Sequence, residues 1–190
     1  GIQERGGVHD LKRIDFLLDS VTIVNIIFIK SYYISPSLPR NWGKITLILL
    51  LTSNGFYTDE IKKHFLELVG GATDQKHAAV ITTASPLKAN NPFAIKAKDD
   101  LNEMGFGRVD FLDLEFERPD ILLDKAVIYI NGGNPFGLLH HMKRNGADRV
   151  FRALTGKDVV VVGASAGAIV LGPNIKRLKD DGWVTEIINK

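Results

Sequence analysis

The stretch Val159-Val160-Val161-Val162-Gly163-Ala164-Ser165-Ala166-Gly167 decides the fold. Four successive valines are typical of a strand that is buried on both faces, and an apolar helix is predicted to follow from Ala166 to Leu171. The serine between two glycines fits a tight strand–turn–helix connection, where its hydroxyl would project at a helix N-terminus and backbone N–H groups could receive an oxyanion. The pattern indicates a serine nucleophile, and its alternatives are a phosphate-binding turn and a turn that only packs closely.

The same alternation of strands and helices begins at Lys44. Apolar runs predict strands at 45–51, 78–83, 108–114, 126–130 and 159–162, and capping residues predict helices that begin after Thr58, Asn91 and Asn134 and at Asp148 and Ala166. In the helix after Asn91, the predicted buried stripe includes Phe93 and Ala97. Apolar strands separated by helices form a parallel sheet that helices cover on both faces. The fold class is therefore predicted to be α/β, with a doubly wound, mostly parallel sheet.

Residues 1–43 do not follow this alternation and are predicted to be an N-terminal extension. Its apolar part, 14–29, fits neither the helical nor the strand period, and residues 35–39 read Ser-Pro-Ser-Leu-Pro, which is typical of a linker. An extra strand and helix, or a poorly ordered arm, are both compatible with this segment. The α/β domain is predicted over residues 44–190.

Composition excludes several classes of protein. The 190 residues, 45% hydrophobic and 24% charged, fit one globular domain, and the net charge of +2 gives no basic stripe for nucleic acid or anionic lipid. Without cysteine there is no disulfide framework, thiolate metal site or cysteine nucleophile. No apolar run reaches the roughly 20 residues of a membrane span, and acids before Val21 are unusual in a signal peptide. We therefore predict a cytoplasmic protein that binds neither nucleic acid nor membrane.

Small polar loops are predicted to meet at one edge of the sheet, because ligands of open parallel sheets bind beyond the carboxyl ends of the strands. These loops are 52–56, 84–86, 131–134 and 163–167. Asn54 and Asn134 are candidates for substrate contacts on them. Gly133 lies where a helix opens, so its N–H is a candidate oxyanion donor beside Ser165, although an ordinary helix cap would also explain the Gly-Gly-Asn pattern.

Three blocks of the sequence resemble the peptidase E family of serine peptidases, which includes aspartyl dipeptidase and, more distantly, cyanophycinase. The blocks are Thr52-Ser53-Asn54-Gly55-Phe56, Asn131-Gly132-Gly133-Asn134-Pro135-Phe136 and Gly163-Ala164-Ser165-Ala166-Gly167-Ala168, within a resemblance over about residues 44–175. The resemblance implies a class I glutamine amidotransferase-like fold in which serine replaces the usual cysteine. It also implies that Ser165 is the nucleophile and that the N–H groups of Gly133 and Ala166 form the oxyanion hole. A small peptide substrate is expected, with no metal or organic cofactor.

The histidines depart from the pattern of that family. The resemblance implies a catalytic histidine well after the serine, yet all five histidines precede Ser165: His9, His64, His77, His140 and His141. The helix after Asn134 is expected to carry the last two away from the site. A serine hydroxyl without a base is a poor nucleophile, so we expect impaired hydrolysis in a family member that looks cut short at its C-terminus. A catalytically silent or truncated α/β domain and an α/β-hydrolase-type esterase are the alternatives.

Specificity for an aspartyl substrate would require a cationic pocket, because a carboxylate that leaves water needs a positive partner. Lys88, Lys96 and Arg118 are the candidates, since all three lie near predicted strand ends. The sequence leaves open the acid of the catalytic triad and the oligomeric state.

Overall fold

The structure is a computed structural model that describes residues 48–171 and the backbone of residues 27–29. Six strands form one sheet: β1 (Ile27–Ile29), β2 (Ile48–Thr52), β3 (His77–Ile81), β4 (Arg108–Leu112), β5 (Val127–Ile130) and β6 (Val160–Ala164). Their spatial order is β1-β2-β6-β5-β3-β4. Strands β2 to β6 are mutually parallel, whereas β1 pairs antiparallel with β2 at one edge.

Helices cover both faces of this sheet. They are α1 (Asp59–Val69), α2 (Pro92–Glu103), α3 (Pro135–Arg144), α4 (Ala147–Ala153) and α5 (Ala166–Leu171), with 3₁₀ turns at Lys88–Asn90 and Pro119–Asp124. Helices α1 and α2 pack on the face that receives Leu50, and α3, α4 and α5 pack on the face that receives Leu49 and Leu51. Successive side chains of a strand point to opposite faces, so both faces are apolar. The prediction of a doubly wound, mostly parallel α/β sheet is confirmed.

The predicted helix starts are confirmed by their capping contacts. Thr58 Oγ1 accepts a hydrogen bond from the N–H of Ile61 at 3.3 Å, which satisfies one of the free donors of α1. Asn91 and Asn134 each accept two N–H groups in the same way, at the first turns of α2 and α3. A proline follows each asparagine at the first helical position, where its missing N–H costs nothing.

The prediction that Phe93 belongs to the buried stripe of α2 is wrong. Its side chain is 63% exposed, and the stripe that faces the core is formed by Ala94, Ala97 and Leu101. The first turn of α2 lies at the carboxyl edge of the sheet, where Asn91 contacts the side chain of Asn131 at 3.3 Å. Phe93 precedes Ala94 by one residue, so its side chain points away from this stripe and lines a pocket instead.

Part of the predicted N-terminal extension joins the sheet. Residues 27–29 form β1, whose register pairs Ile27 with Leu51 and Ile29 with Leu49. The remainder of residues 1–47, which includes His9 and the start of the first predicted strand, lies outside the described residues, as do residues 172–190. In the part of the chain that the structure describes, no helix combines the length and apolarity needed to cross a bilayer.

Candidate active site

Ser165 stands at the turn between β6 and α5, at the carboxyl edge of the sheet. Its φ of 49° lies in the left-handed region that residues other than glycine seldom adopt, and its side chain is exposed. The conformation is held by hydrogen bonds on both sides of the residue. The N–H of Ser165 donates to the carbonyl oxygen of Thr52 at 3.0 Å, and its own carbonyl oxygen accepts from the N–H of Ile169 at 3.0 Å.

The glycines on either side of Ser165 are required by close packing. A Cβ at Gly163 would lie 2.8 Å from the backbone nitrogen of Ala168, and one at Gly167 would overlap the carbonyl oxygen of Ile130. These contacts place the backbone of α5 directly against β6 and β5. The two glycines therefore fit the tight strand–turn–helix connection that the sequence predicted, because backbone approaches backbone closely at both positions.

The loop 131–134 lies between Ser165 and the loop that follows β3. A Cβ at Gly132 would lie 3.2 Å from the Cβ of Ser165, and one at Gly133, where φ is 141°, would overlap the carbonyl oxygen of Ala84. Among the described residues, the N–H groups of Gly133 and Ala166 donate to no protein acceptor. Two backbone donors beside an exposed hydroxyl are the components that an oxyanion hole requires.

Ser165 opens into a pocket of about 440 Å³. The pocket lies between the loop after β2 and the N-terminal half of α2, and its lining also includes Gly132 and Gly133. Asn54 lies in this lining, as the sequence predicted for a substrate-contacting loop. Asn134 does not, because its Oδ1 accepts hydrogen bonds from the N–H groups of Phe136 and Gly137 and so caps α3.

Sequence reasoning missed four residues that line this pocket: Asn91, Phe93, Asp100 and Tyr129. On α2, residues 93, 97 and 100 share one face because their spacing follows the helical repeat, so this face could have been predicted from the sequence. Tyr129 offered a weaker signal. It stands near the end of an apolar strand, where a single polar group gives no indication of which way it faces.

The acidic member of the lining, Asp100, is almost fully buried and neutralised by two lysines. Its carboxylate lies 2.7 Å from the Nζ of Lys62 and 2.8 Å from the Nζ of Lys96. The hydrogen bond that Lys62 donates to Asp100 holds the pKa of Lys62 above its usual range. Lys96 therefore shares one buried carboxylate with Lys62 at the pocket wall.

Of the three cations predicted near the site, only Lys96 lines the pocket. The Nζ of Lys88 lies 3.0 Å from the carboxylate of Asp113, and Arg118 pairs with Asp120 at 2.8 Å on the surface. Within the described range no group of three His, Asp or Glu side chains could hold a metal ion. The described lining therefore offers hydrogen-bonding groups and aromatic walls, together with Lys96 and the aspartate that it contacts, Asp100.

None of the four histidines in the described range lines the pocket. The Nδ1 of His64 lies 3.0 Å from Glu67 on α1, and His77 is exposed at the start of β3. His140 and His141 lie on α3, where the Nε2 of His141 is 4.0 Å from Glu115. The expectation that α3 carries these two side chains away from Ser165 agrees with this placement.

A doubly wound α/β domain whose pocket contains an exposed serine restricts the classes of protein to which this chain can belong. The profile of peptidase family S51 matches residues 49–188, so the chain belongs to that family. This match confirms the resemblance to peptidase E that the three sequence blocks indicated.

Relatives and solved structures agree with this assignment. An uncharacterized peptidase of Listeria monocytogenes is 33% identical over 118 residues, which are 60% of this chain and 57% of that protein. An uncharacterized peptidase of Pasteurella multocida is 30% identical over 119 residues, covering 60% and 56%. The chain thus spans about half the length of the curated relatives it matches.

Two crystal structures are similar to this fold. One, described under the name peptidase E and from Listeria monocytogenes EGD-e, has a TM-score of 0.59 at 29% identity and covers 70% of this chain and 65% of that one. The other, of a peptidase from an acI-B1 actinobacterium, has a TM-score of 0.50 at 20% identity and covers 65% and 55%. The second similarity concerns the fold alone.

Proposed function

We propose that this chain is a serine peptidase domain that acts on small peptides through Ser165. The observation that supports this most is the placement of an exposed hydroxyl, at a φ of 49°, beside the free N–H groups of Gly133 and Ala166. Strained residues at a pocket are characteristic of catalytic sites, because folding retains such a conformation only where the surroundings enforce it. Membership of a peptidase family makes the esterase alternative the weaker one.

In the proposed mechanism, the Oγ of Ser165 attacks the carbonyl carbon of the scissile peptide bond. A C–O bond forms, and the carbonyl oxygen takes a negative charge that the N–H groups of Gly133 and Ala166 stabilise. The C–N bond then breaks, and the amine leaves with the proton that the hydroxyl has lost. The resulting acyl-serine ester is hydrolysed by water, which regenerates the hydroxyl.

Proton removal is the step that the described pocket supports least, since none of the described histidines faces Ser165. We therefore propose that turnover by the 190-residue chain is slow. In such a case the oxyanion hole and substrate binding alone leave a residual acceleration of roughly 10³- to 10⁴-fold over water. A catalytically silent domain is the second candidate function, and the position of the histidines is the observation that favours it.

Covalent labelling tests the nucleophile without requiring turnover. A fluorophosphonate probe should modify the chain once, at a low rate because no described histidine activates the hydroxyl, and mass spectrometry of the digest should locate the adduct on Ser165. The Ser165→Ala variant should remain unlabelled under the same conditions. Labelling at another residue, or equal labelling of the two proteins, would contradict the assignment of Ser165 as the nucleophile.

A further inference from the structure

Asn91 makes more hydrogen bonds than the cap of a helix requires. Its Oδ1 accepts from the N–H groups of the second and third residues of α2, at 2.9 and 3.3 Å, as an ordinary N-cap does. Asn134 caps α3 in the same way, and among the described residues its side chain makes no other hydrogen bond. The side chain of Asn91 has two further partners, Ser85 and Asn131.

The helix cap fixes which atom of Asn91 faces each of these partners. Because Oδ1 must face the N–H groups of α2, the amide nitrogen points away from the helix and donates to the Oγ of Ser85 at 2.9 Å. The Nδ2 of Asn131 donates to the same Oδ1 at 3.3 Å. Both polar atoms of the Asn91 side chain are thus engaged within the protein, although the residue lines the pocket.

The two partners of Asn91 lie on either side of the backbone of Gly133. Asn131 begins the loop that contains Gly133, and Ser85 belongs to the loop after β3 on which Gly133 packs. A Cβ at Gly133 would overlap the carbonyl oxygen of Ala84 and would lie 3.0 Å from the backbone nitrogen of Ser85. Ser85 and Asn131 are almost fully buried, at 3% and 1% exposure. Asn91 therefore joins the two segments that determine where Gly133 lies.

We propose that Asn91 is a positioning residue that holds the N–H of Gly133 where the oxyanion forms. The inference rests on the proposed function, because it takes this N–H to be an oxyanion donor. Such donors act only within hydrogen-bond distance of the developing charge, so a small displacement of the loop slows the reaction. The other donor, Ala166, lies on the turn after β6, to which Asn91 makes no hydrogen bond among the described residues. Asn91 thus acts on one donor of the pair.

The test exchanges Asn91 for a residue that can still cap the helix. Asn91→Ser keeps a capping hydroxyl, the group with which Thr58 caps α1, but loses the amide that contacts Ser85 and Asn131. Asn134→Ser is the matched control, since it makes the same exchange at a cap whose side chain has no further partner.

The readout is the amide proton chemical shifts of the two donors. The unmodified chain and both variants are labelled with ¹⁵N and reacted to completion with the fluorophosphonate probe. The phosphoryl oxygen of the adduct takes the place of the oxyanion, so the amide protons of Gly133 and Ala166 should move downfield in the unmodified chain. Spectra recorded before the reaction show whether each variant keeps its fold.

Asn91→Ser should reduce the downfield shift of Gly133 by about half or more and leave that of Ala166 unchanged. It should also slow labelling about 10-fold. Asn134→Ser should lower the melting temperature to a similar extent but label within about 2-fold of the unmodified rate, because it removes only capping contacts.

Equal changes at Gly133 and Ala166, no change at either, or equal slowing by Asn134→Ser would overturn the inference. If Asn91→Ser does not fold, Ser85→Ala takes its place, since it removes the oxygen that accepts the hydrogen bond of the Asn91 amide. The same selective change at Gly133 is then expected, and its absence would equally overturn the inference.

A failure of the proposed function gives a different result. It would appear in the unmodified chain, as no adduct on Ser165 or as an adduct in which neither amide proton moves, and the positioning role would be lost with it. A chain that forms the adduct and shows both shifts, but responds to Asn91→Ser at neither or at both donors, would lose the role of Asn91 alone.

Discussion

At the scale of single residues, Ser165 combines exposure with a strained backbone. Its left-handed conformation places Cβ close to neighbouring backbone atoms, which costs roughly 1–2 kcal/mol for a residue other than glycine. The hydrogen bonds to Thr52 and from Ile169 hold this geometry in the folded state. A residue other than glycine at this position therefore lowers the stability of the fold, and a functional role of the serine side chain would explain why it is present.

The strain at Ser165 can be measured by comparing two substitutions that both remove the hydroxyl. Ser165→Gly should be more stable than Ser165→Ala by about 1 kcal/mol, because glycine adopts a φ of 49° without steric cost. Chemical denaturation of the two variants gives this difference directly. If alanine is as stable as glycine there, the left-handed conformation is not a source of strain.

Gly132 and Gly133 are adjacent but should respond differently to a methyl group. Gly132→Ala would place the methyl 3.2 Å from the Cβ of Ser165 with no overlap elsewhere, so it should slow labelling of the serine at least 10-fold with a small loss of stability. At Gly133 the φ is 141°, and an added methyl group would overlap the carbonyl oxygen of Ala84. Gly133→Ala should therefore destabilise the whole domain.

Melting temperatures and fluorophosphonate labelling rates of these two variants provide the check. Each variant is the control for the other, since both add one methyl group to the same loop. A larger drop in melting temperature for Gly132→Ala than for Gly133→Ala would show that the two close contacts have been assigned to the wrong glycines.

At the scale of elements, the parts that could be predicted from the sequence are those that depend on neighbours in the chain. The caps at Thr58, Asn91 and Asn134 bond to N–H groups two or three residues away, so a local pattern was sufficient to find them. Runs of valine, isoleucine and leucine also marked the strands reliably, because a strand covered on both faces must be apolar throughout.

Other features of the elements depend on residues that are distant in the chain. The pairing of β1 with β2 joins positions 27 and 51, and no local pattern defines that register. Phe93 was placed in the core because its spacing to Ala97 along α2 fits, but Ala94, one residue later, is the position of this turn that packs into the core. For Tyr129 and Asp100, which share a pocket wall across 29 positions, only the assembled fold shows that they lie near each other.

The loop after β4 holds an acid-sensitive contact. Burial opposes ionisation of Asp113, but a hydrogen bond from the N–H of Glu115, together with the side chains of Lys88 and Thr83, holds the pKa of Asp113 below its usual value. A carboxyl group with a lowered pKa in the folded state stabilises the protein above its unfolded pKa of about 3.9. This contribution is lost as the pH falls through the folded pKa.

Asp113→Asn should therefore lower the melting temperature most at about pH 7, where the native carboxylate is ionised. The difference from the unmodified protein should shrink as the pH is taken below about 4, because the native side chain then becomes neutral as well. Thermal melts of both proteins across this range test the point. A difference that stays constant with pH would mean that ionisation of Asp113 does not contribute to stability.

At the scale of the whole molecule, the pocket and the histidines lie in different places. The sheet brings the ends of β2, β5 and β6 together around Ser165. Helix α3 begins at its cap, Asn134, and carries His140 and His141 in its second half. Each residue of an α-helix adds about 1.5 Å along the axis, so these two side chains lie beyond the first turn of α3. In the described part of the chain, no histidine therefore faces the proposed oxyanion site.

This separation predicts chemical rescue by a small base. Free imidazole is small enough to enter a pocket of about 440 Å³, where it can accept the proton of the Ser165 hydroxyl. Hydrolysis of a chromogenic peptide should then increase with imidazole concentration and follow its neutral fraction as the pH is varied. The Ser165→Ala variant should show no increase, which separates this route from direct attack by imidazole on the substrate. A serine-dependent rate that is high without imidazole and unchanged by it would mean that the protein already provides the base from residues outside 48–171.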